Sequence, residues 1–499
     1  MKMCAWLLAL GLLVACGEPP SPREPVDEAQ REERRGLVTH DPARVSPGYV
    51  LFAPLGSPRT FLIDNEGRVV HAWQGLTAAA GEQLLLADGS LLRLGRDLDF
   101  PHFRTGGVGG WLERLAWDGE ELWAWRHASA HGVTHHDFAL LPNGNVLVLA
   151  WERKSPEDAR FAGRDPERIP KQGLWSDLVL EVQPEPPRGG RIVWEWHAWD
   201  HLVQDRDATG ESYGDPRAQP GKLDVNAGVA AARVSAQELA QLKALGYVPE
   251  GATPDDLDAD FLHVNALDHH AGLDQIALSV RELGEVWILD HGTTSDEARG
   301  SRGGKRGRGG EILYRWGNPR AYGRGAASEQ RLGDPHDARW VPEGYPGARR
   351  ITIFNNRVGG RGQSSAVEEI ALPLLPNGSY ALAAGAFAPR EPAWRYEATP
   401  RESFYAARFS GAQRTANGNT LVCSGPQGRV FEVTPAGEIV WEYRNPFVRS
   451  AGTSLSADRD TSPHAVFRAA RIAPDHPALR GRTLAPLDPQ PAFAPQSGD

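Results

Sequence analysis

Short runs of apolar residues alternate with polar turns along most of the chain, and this pattern predicts a repeat of β-strands. The best-preserved unit, residues 135–151, reads HHDFALLPNGNVLVLAW and predicts a strand, a tight turn and a second strand. Its Asn143-Gly144 pair favours positive φ and is typical of a hairpin. Related units begin at His336, ahead of a Pro-Glu-Gly turn, and at Ser410, ahead of the Asn417-Gly418-Asn419 turn. The chain therefore repeats one hairpin design.

A second pattern, a glycine followed by an alternating strand that ends in an aromatic residue, closes each repeat. It occurs at 67–73, 119–125, 190–196, 310–316 and 437–443, and in eroded form at 393–396. Repeats of roughly 40–50 residues made of short strands are typical of propeller blades. Six closures predict an all-β, six-bladed propeller over residues 47–487. Residues 464–472 are expected to add a strand to the first blade and close the ring.

One insertion, residues 197–260, interrupts the repeat between blades three and four. A capping box and leucines at helical spacing predict a short helix over residues 236–245. The acidic run 255–260 (DDLDAD) is interpreted as a solvated loop, because it lacks the glycine and the distal glutamate of a calcium-binding EF-hand. The basic, glycine-rich segment 299–310 is interpreted as a connector within blade four, with a weak alternative role in gathering anionic substrates.

The N-terminus has the pattern of a signal peptide, residues 1–15. Lys2 is followed by an apolar run that is too short to cross a membrane as a mature helix. Residues 13–16 read LVAC and resemble a bacterial lipobox, which implies cleavage before Cys16 and acylation of that cysteine; an ordinary secretory signal is the alternative. We expect a periplasmic or cell-surface lipoprotein, in the outer membrane, with a flexible tether over residues 16–46 and a disordered tail over residues 488–499.

Composition narrows the choice of partners. The 499 residues are 40% hydrophobic and 24% charged, which is typical of a globular protein, and the formal net charge of −10 argues against nucleic acid as a partner.

If Cys16 is acylated, no disulfide framework is available within the mature chain. Cys423 falls in a predicted strand and is interpreted as a small buried hydrophobic residue. Residues 106–110, although rich in glycine, are interpreted as a turn rather than a phosphate cradle, because no Lys-Ser/Thr pair follows them.

Candidate chemistry gathers at the predicted channel. His136, His263 and His336 begin the first strands of blades three, four and five, and innermost strands line the axis of a propeller. Imidazole buries poorly without a partner, so three such histidines are difficult to explain as core residues. Asn265 is predicted to share the face of His263. Arg281, predicted to lie on the following strand, requires an anion, either a carboxylate or a ligand.

Two interpretations of this cluster stay open on spacing alone. Three histidines are a common zinc set with an open fourth position. An arginine beside a divalent cation is repelled by it, however, and favours a ligand oxyanion. The second interpretation is a neutral histidine that attacks a sulfuryl or phosphoryl group, with the other polar residues holding its oxygens.

Residues 411–446 resemble the last blade of the bacterial arylsulfotransferases, which need no nucleotide sulfate donor. The resemblance extends over Tyr49 to about Leu487 through the His135-His136-Asp137 strand with its PNGN turn, His263-Val264-Asn265, Arg281 and Pro335-His336-Asp337. It implies a six-bladed propeller that transfers a sulfuryl group from an aryl sulfate donor to a phenolic acceptor. The implied route is ping-pong through a sulfohistidine, with neither a metal nor another cofactor.

The resemblance also implies residue roles. His336 would be the nucleophile, and His136, His263, Asn265 and Arg281 would bind the sulfuryl and phenolic oxygens. We predict His135 as a further substrate-binding residue. The alternatives are a non-catalytic surface propeller that binds a ligand or protein, and a metal-dependent enzyme with histidine ligands.

Overall fold

The computed structural model describes residues 34–97, 100, 102–228, 235–244, 248–360, 362–382, 385–448 and 462–492. Six antiparallel sheets in a ring form a six-bladed β-propeller, so the predicted fold class and blade number are confirmed. The predicted signal peptide and Cys16 lie outside the described residues. No helix in the described ranges is long and apolar enough to cross a membrane.

The first three blades follow one another along the chain. Their strands, with one strand that precedes them, are β1 (Gly36–His40); β2 (Tyr49–Pro54), β3 (Arg59–Ile63) and β4 (Val69–Gln74) in blade one; β5 (Ala78–Leu85), β6 (Leu91–Arg96), β7 (Gly110–Leu115) and β8 (Glu121–Arg126) in blade two; and β9 (Gly132–Leu140), β10 (Val146–Lys154), β11 (Leu174–Pro184) and β12 (Gly190–His197) in blade three. Neighbouring strands within each blade pair antiparallel, as hairpins connected by tight turns require.

The insertion and the second half of the ring come next. Their strands are β13 (Leu202–Val203) and β14 (Leu223–Asp224) in the insertion; β15 (Val264–His270), β16 (Gln275–Val280), β17 (Glu285–Asp290) and β18 (Tyr314–Trp316) in blade four; β19 (His336–Trp340), β20 (Ile351–Asn355), β21 (Ala366–Ile370) and β22 (Trp394–Tyr396) in blade five; β23 (Gly411–Arg414), β24 (Thr420–Ser424), β25 (Arg429–Val433) and β26 (Ile439–Arg444) in blade six; and β27 (Val466–Ile472). β27 pairs with β2 as the innermost strand of blade one. The predicted closure of the ring is therefore confirmed.

Helices are short and lie in the connections. Within the described ranges, the α-helices are α1 (Pro156–Phe161), α2 (Ala236–Ala244), α3 (Pro254–Asp258) and α4 (Ser295–Ala298). Single 3-10 turns occupy Pro166–Arg168, Ala198–His201, Pro319–Tyr322, Ala327–Glu329, Val358–Gly360, Arg401–Ser403, Gly425–Gln427 and Pro477–Leu479. α2 confirms the helix predicted in the insertion. The basic segment 299–310 follows α4 and connects β17 to β18, within blade four as predicted.

The aromatic residue that closes each repeat is buried against the neighbouring blade. The six are Trp73, Trp125, Trp196, Trp316, Tyr396 and Tyr443. Two of them also bond across the gap between blades: the Trp196 indole donates to the Gly310 carbonyl (2.8 Å), and the Trp316 indole donates to the Pro389 carbonyl (2.7 Å). The closure pattern in the sequence thus records the packing between blades.

Both ends of the described chain are more ordered than we predicted. The tether was expected to reach residue 46, but β1 adds a fifth strand to blade six by pairing with β26. At the other end, the Gln490 side chain accepts from the Val69 N–H (2.8 Å) and donates to its carbonyl (3.0 Å). Backbone groups on β-strand edges attract such partners. Residues 493–499 lie outside the described residues. Cys423 is buried within β24, as predicted.

Candidate functional site

The innermost strands bring the three predicted histidines together at the axis. His136 lies within β9, His263 directly precedes β15, and His336 is the first residue of β19. The ring centroids of His136 and His263 are 4.6 Å apart. His263 is also close enough to His336 that a positive charge on it would lower the pKa of His336. All three side chains are buried. The predicted convergence is confirmed, and the catalytic roles stay predictions.

The backbone is bent where these histidines occur. His136 (φ 51°), His263 (φ 49°) and Asp337 (φ 55°) adopt the left-handed region that side chains other than glycine rarely use. The hydrogen-bond register of all three inner strands shifts at the same places. Such bulges turn side chains away from the regular pleat, and strained residues concentrate at functional sites. The bulges therefore aim the histidines out of the regular sheet.

The imidazole of His336 is held in one tautomer. Its Nδ1 lies 2.8 Å from Asn356 Oδ1 and 2.9 Å from the Asp334 carbonyl oxygen. The Asn356 amide donates to the carbonyls of Ala406 (2.7 Å) and Phe409 (2.9 Å), which fixes its oxygen toward the ring. Both neighbours of Nδ1 are acceptors, so Nδ1 carries the proton and Nε2 carries the lone pair. Nε2 has no hydrogen-bond partner among the described residues.

The surroundings of His336 also keep the ring neutral. Burial lowers the pKa of His336 to about 3; the Asn356 hydrogen bond opposes this effect, and the positive charge of Arg281 adds to it. The Asp337 carboxylate pairs with arginines on the other side of the strand rather than with this ring. His336 is thus a neutral base with a fixed, unpartnered nitrogen.

His263 has a different partner, a carboxylate. Its Nδ1 lies 2.5 Å from Asp260 Oδ2, and Asp260 is itself buried. The acidic run 255–260 was predicted to be a solvated loop, and for its last residue that prediction is wrong. α3, capped by Thr253, takes up most of the run, and Asp260 lies two residues beyond the helix, in contact with His263. A carboxylate on Nδ1 fixes the tautomer and stabilises the imidazolium, as in a catalytic acid–base pair.

His136 is supported from behind by His135. Their Nδ1 atoms are 2.9 Å apart, and His135 stacks on Trp151 with centroids 3.8 Å apart. Burial lowers the pKa of both rings well below the ordinary value, and charge on His263 would lower it further. His135 is fully buried, with Nε2 3.3 Å from Asp177 Oδ1. In this structure it supports His136, and its predicted role in substrate binding stays a prediction.

The glycine-rich loop of blade two packs on the same histidine. Gly107 (φ 80°) accepts a hydrogen bond from the His136 backbone N–H (3.0 Å), and a Cβ at this position would overlap the His136 ring. A glycine is therefore required where the backbone approaches the ring. The segment is a turn, as predicted, but the sequence did not indicate that it forms a wall of the site.

Asn265 and Arg281 flank His336. The Asn265 amide donates to the Pro335 carbonyl (3.0 Å), and its buried Oδ1 has no partner among the described residues. Arg281 was predicted to lie within a strand, but β16 ends at Val280 and Arg281 opens the following turn. Its guanidinium pairs with Glu282 and lies 3.8 Å from Asp334 Oδ2, and its side chain is 28% exposed. The anions that Arg281 requires are thus carboxylates in this structure.

A buried ionic cluster beside the histidines links the inner strands of the ring. Arg468 in β27 donates to Glu82 (2.8 Å) in β5 and to Asp137 (2.7 Å) in β9. Arg339 in β19 bonds to the same Glu82 carboxylate (2.7 Å) and to Asp337 (2.8 Å). We did not predict this cluster. The signal was the aspartate that follows both His136 and His336: each aspartate accepts a backbone N–H from the next blade, Leu267 and Ala412 respectively.

The side chains of the three channel histidines do not fit a shared zinc ion. Each Nδ1 is engaged by a protein partner, namely His135, Asp260, and Asn356 with the Asp334 carbonyl, so only the three Nε2 atoms could bind a metal. Their ligand atoms do not come within 4.8 Å of one another as a set of three. The donor geometry therefore favours the nucleophile interpretation over the zinc interpretation left open above.

One protein-family model matches part of the chain. Residues 119–298 match the arylsulfotransferase (ASST) family model. The matched segment runs from β8 to α4 and includes His136, His263, Asn265 and Arg281, while His336 lies beyond it. Over these residues the match confirms the resemblance drawn from the motifs, and it supports an aryl sulfotransferase activity in general terms. No curated protein matches the chain.

Three solved structures have a distant similarity to the chain. A protein of unknown function from Bacteroides caccae is 10% identical, with a TM-score of 0.41, over 86% of this chain and 99% of that one. The periplasmic gluconolactonase PpgL of Pseudomonas aeruginosa is 12% identical, with a TM-score of 0.38, over 79% of this chain and 94% of that one. Apo AztD from Citrobacter koseri is 10% identical, with a TM-score of 0.35, over 85% and 98%. These likenesses are too weak to carry any conclusion about function.

Proposed function

We propose that this protein transfers a sulfuryl group from an aryl sulfate to a phenol by a ping-pong route, with His336 as the covalent nucleophile. One observation carries the proposal: a neutral histidine with a fixed, unpartnered Nε2 lies beside a histidine–carboxylate pair, His263–Asp260. A nucleophile needs a free lone pair, and an acid–base catalyst needs a partner that stabilises its charge. His336 has the surroundings of a nucleophile, and His263 has those of an acid–base catalyst.

In the first half-reaction, the His336 Nε2 lone pair attacks sulfur. The N–S bond forms as the S–O bond to the aryl group breaks, and the electron pair of that bond leaves with the phenolic oxygen. Protonated His263 gives its Nε2 proton to this oxygen, and Asp260 holds the Nδ1 proton throughout. The sulfated imidazole keeps its own Nδ1 proton, which it donates in hydrogen bonds to Asn356 Oδ1 and the Asp334 carbonyl.

In the second half-reaction, the acceptor phenol reverses these steps. Neutral His263 takes the phenol proton as the phenolic oxygen attacks sulfur, and the electrons of the N–S bond return to His336 Nε2. The donor and acceptor use the same groups in turn, so one site serves both halves. Charge spreads over the three sulfuryl oxygens as in phosphoryl transfer, so positioning and electrostatics supply most of the rate.

The walls of the site suit an aromatic, anionic substrate. Phe409, Ala465 and Phe467 form an apolar cluster, and the Phe467 ring lies 6.2 Å from His136. Arg281 lies close enough to influence His336 and is partly exposed, so its guanidinium can exchange a carboxylate for a sulfuryl oxygen. The buried donors of Arg468 already bond to Glu82, Asp137 and the Asn265 carbonyl, so Arg468 is assigned to structure.

The direct test of the proposed function is release of a coloured phenol. Purified, metal-free protein is incubated with 4-nitrophenyl sulfate, with and without a second phenol, and the acceptor is examined for new sulfate ester. We expect sustained turnover only with the acceptor present. Sulfate release without transfer would indicate a hydrolase. A ligand-binding propeller would show neither release nor transfer.

Arg281→Lys is expected to lower transfer by roughly 10- to 1,000-fold, the range for losing one preorganised donor. Lysine keeps the charge but loses the planar fork that suits a tetrahedral oxyanion. The measurement is kcat/KM for 4-nitrophenyl sulfate. Arg349→Lys, on an exposed turn where Arg349 pairs with Glu343, is the control. Near-normal turnover of a folded Arg281→Lys protein would show that Arg281 serves structure alone.

The acid limb of the reaction should reflect the lowered pKa of His336. The neutral ring reacts, so activity falls only as pH drops through about 3. At pH 5 a histidine with the ordinary pKa of about 6.5 is ~97% protonated, and its rate would fall ~30-fold. We expect single-turnover release of 4-nitrophenol, a leaving group that needs no acid, to be equal at pH 8 and pH 5 within about twofold. A ~30-fold decrease in protein that stays folded would contradict the assigned surroundings.

We also propose that the protein is a lipoprotein that faces the periplasm or the cell surface. The pattern LVAC at residues 13–16 supports acylation of Cys16, and Gly17 at the next position resembles the outer-membrane sorting signal. The lipid would be the membrane partner, and the aryl sulfate and phenol would be the small-molecule partners. Mass spectrometry should find a mature protein that begins at acylated Cys16. An unmodified terminus at another residue would contradict this proposal. So would a Cys16→Ser variant that stays in the membrane fraction as the parent does.

A further inference from the structure

A second histidine cluster lies at the far end of β15, about 20 Å along the strand from His263. His269 is near the end of β15, Asp274 is in the turn to β16, and His291 follows β17. Asp274 Oδ1 is 2.7 Å from His291 Nδ1 and 3.2 Å from His269 Nε2. In the described ranges this is the one group of three such side chains whose ligand atoms all lie within 4.8 Å of one another.

The ring of His291 is oriented by a carboxylate outside this group. Its Nε2 lies 3.0 Å from Glu181 Oε2 on β11 of blade three, and Glu181 accepts hydrogen bonds from Asn143 and Asn145. Histidines that bind metals commonly donate their second ring N–H to such a carboxylate, which directs the other nitrogen to the metal. The asparagines of the hairpin turn that defined the repeat therefore support this cluster.

We propose that His269 Nε2, Asp274 Oδ1 and His291 Nδ1 bind one divalent transition-metal ion of the zinc class, with water in the fourth position. Two imidazoles and one carboxylate suit zinc, whereas magnesium and calcium prefer oxygen ligands alone. The ion would replace the direct contact between His291 Nδ1 and Asp274 Oδ1, which are 2.7 Å apart. All three ligands belong to blade four, with Glu181 of blade three behind His291, and the site stands apart from the sulfuryl-transfer residues.

Lys305 provides the balancing charge when no metal is bound. Its ammonium lies 2.5 Å from Asp274 Oδ2, and its side chain is 62% exposed, so it can swing into solvent. The ammonium and a metal ion compete for the same carboxylate. Removing the ammonium should therefore tighten metal binding by about tenfold, the scale of one charge–charge interaction near a protein surface. A hydrogen-bonded network without a metal function would only lose stability on the same change.

Titration of tag-free, dialysed protein with ZnCl2 by calorimetry, and with CoCl2 by visible absorption, tests the proposal. We expect one saturable equivalent and a tetrahedral cobalt spectrum. His269→Ala should lose at least 100-fold in affinity, His270→Ala should bind as the parent does, and Lys305→Met should bind about tenfold more tightly. Asp274→Asn, which keeps the side-chain volume, replaces His269→Ala if that variant does not fold. No saturable binding by the parent, or equal binding by the His269 and His270 variants, would overturn it.

Discussion

His336→Asn is expected to abolish sulfuryl transfer, with a loss on the order of 10⁴- to 10⁶-fold in kcat, the scale seen when a catalytic nucleophile is removed. Asparagine keeps a polar side chain near Asn356 and the Asp334 carbonyl, so the inner strand should remain folded. It lacks a basic nitrogen that can form a bond to sulfur. The measurement is 4-nitrophenol release with an acceptor present.

Two controls separate the loss of a nucleophile from the loss of the fold. Circular dichroism and the thermal midpoint of His336→Asn should match those of the parent within a few degrees. His270→Asn, a half-buried histidine at the other end of β15, should keep full activity. If His336→Asn kept full transfer activity, the nucleophile would have to be another group of the site.

Asp260→Asn is expected to have the second-largest effect, a loss of about 10²- to 10⁴-fold in kcat for donors with poor leaving groups. Asp260 Oδ2 lies 2.5 Å from His263 Nδ1 and accepts its proton in a hydrogen bond. In the proposed mechanism this carboxylate stabilises the imidazolium that protonates the departing phenolate. Asparagine cannot supply that charge. The loss should shrink for 4-nitrophenyl sulfate, whose phenolate leaves without a proton.

A series of aryl sulfates with phenols of different acidity measures this effect. The slope of log kcat against phenol pKa should become steeper in Asp260→Asn than in the parent. Asp255→Asn, in the same acidic run, is the matched control and should leave the slope unchanged. An equal loss for every donor would show that Asp260 only maintains the fold, and no loss would remove His263–Asp260 from the proposed chemistry.

The fold followed from the sequence because its determinants are local and repeated. Each blade needs a hairpin turn and an aromatic residue to pack on the next blade, and both recur at fixed places. Trp196 and Trp316 show the connection, since each is buried and bonds to a neighbouring blade. β1 was missed because Gly36–His40 is an edge strand with little apolar patterning, and only its partner β26 defines it.

The candidate site was predicted only in part, because its residues come from distant parts of the chain. The repeat placed His136, His263 and His336 together, but three equivalent positions gave no reason to choose among them. The residues that distinguish them are Asn356, in the loop after β20, and Asp260, at the end of the insertion. No periodicity relates either residue to a blade position.

The sequence alone also misjudged charge. Asp260 was assigned to a solvated loop since acidic runs are usually exposed. Arg281 was placed on a strand, whereas the strand ends one residue earlier and the side chain reaches carboxylates at the site. Arg468, which joins the inner strands through Glu82 and Asp137, lies in the segment that closes the ring. Its partners are hundreds of residues away in sequence, so only the closed ring reveals them.

The central claim, a sulfated His336, is tested most directly by trapping the intermediate. The protein is incubated with 4-nitrophenyl sulfate without acceptor, digested at alkaline pH because the N–S bond is labile to acid, and mapped by mass spectrometry. We predict a burst of one equivalent of 4-nitrophenol and one added sulfuryl group, located on His336 and removed when a phenol is added. A sulfuryl group on His136 or His263, or turnover with no labelled histidine, would contradict the account.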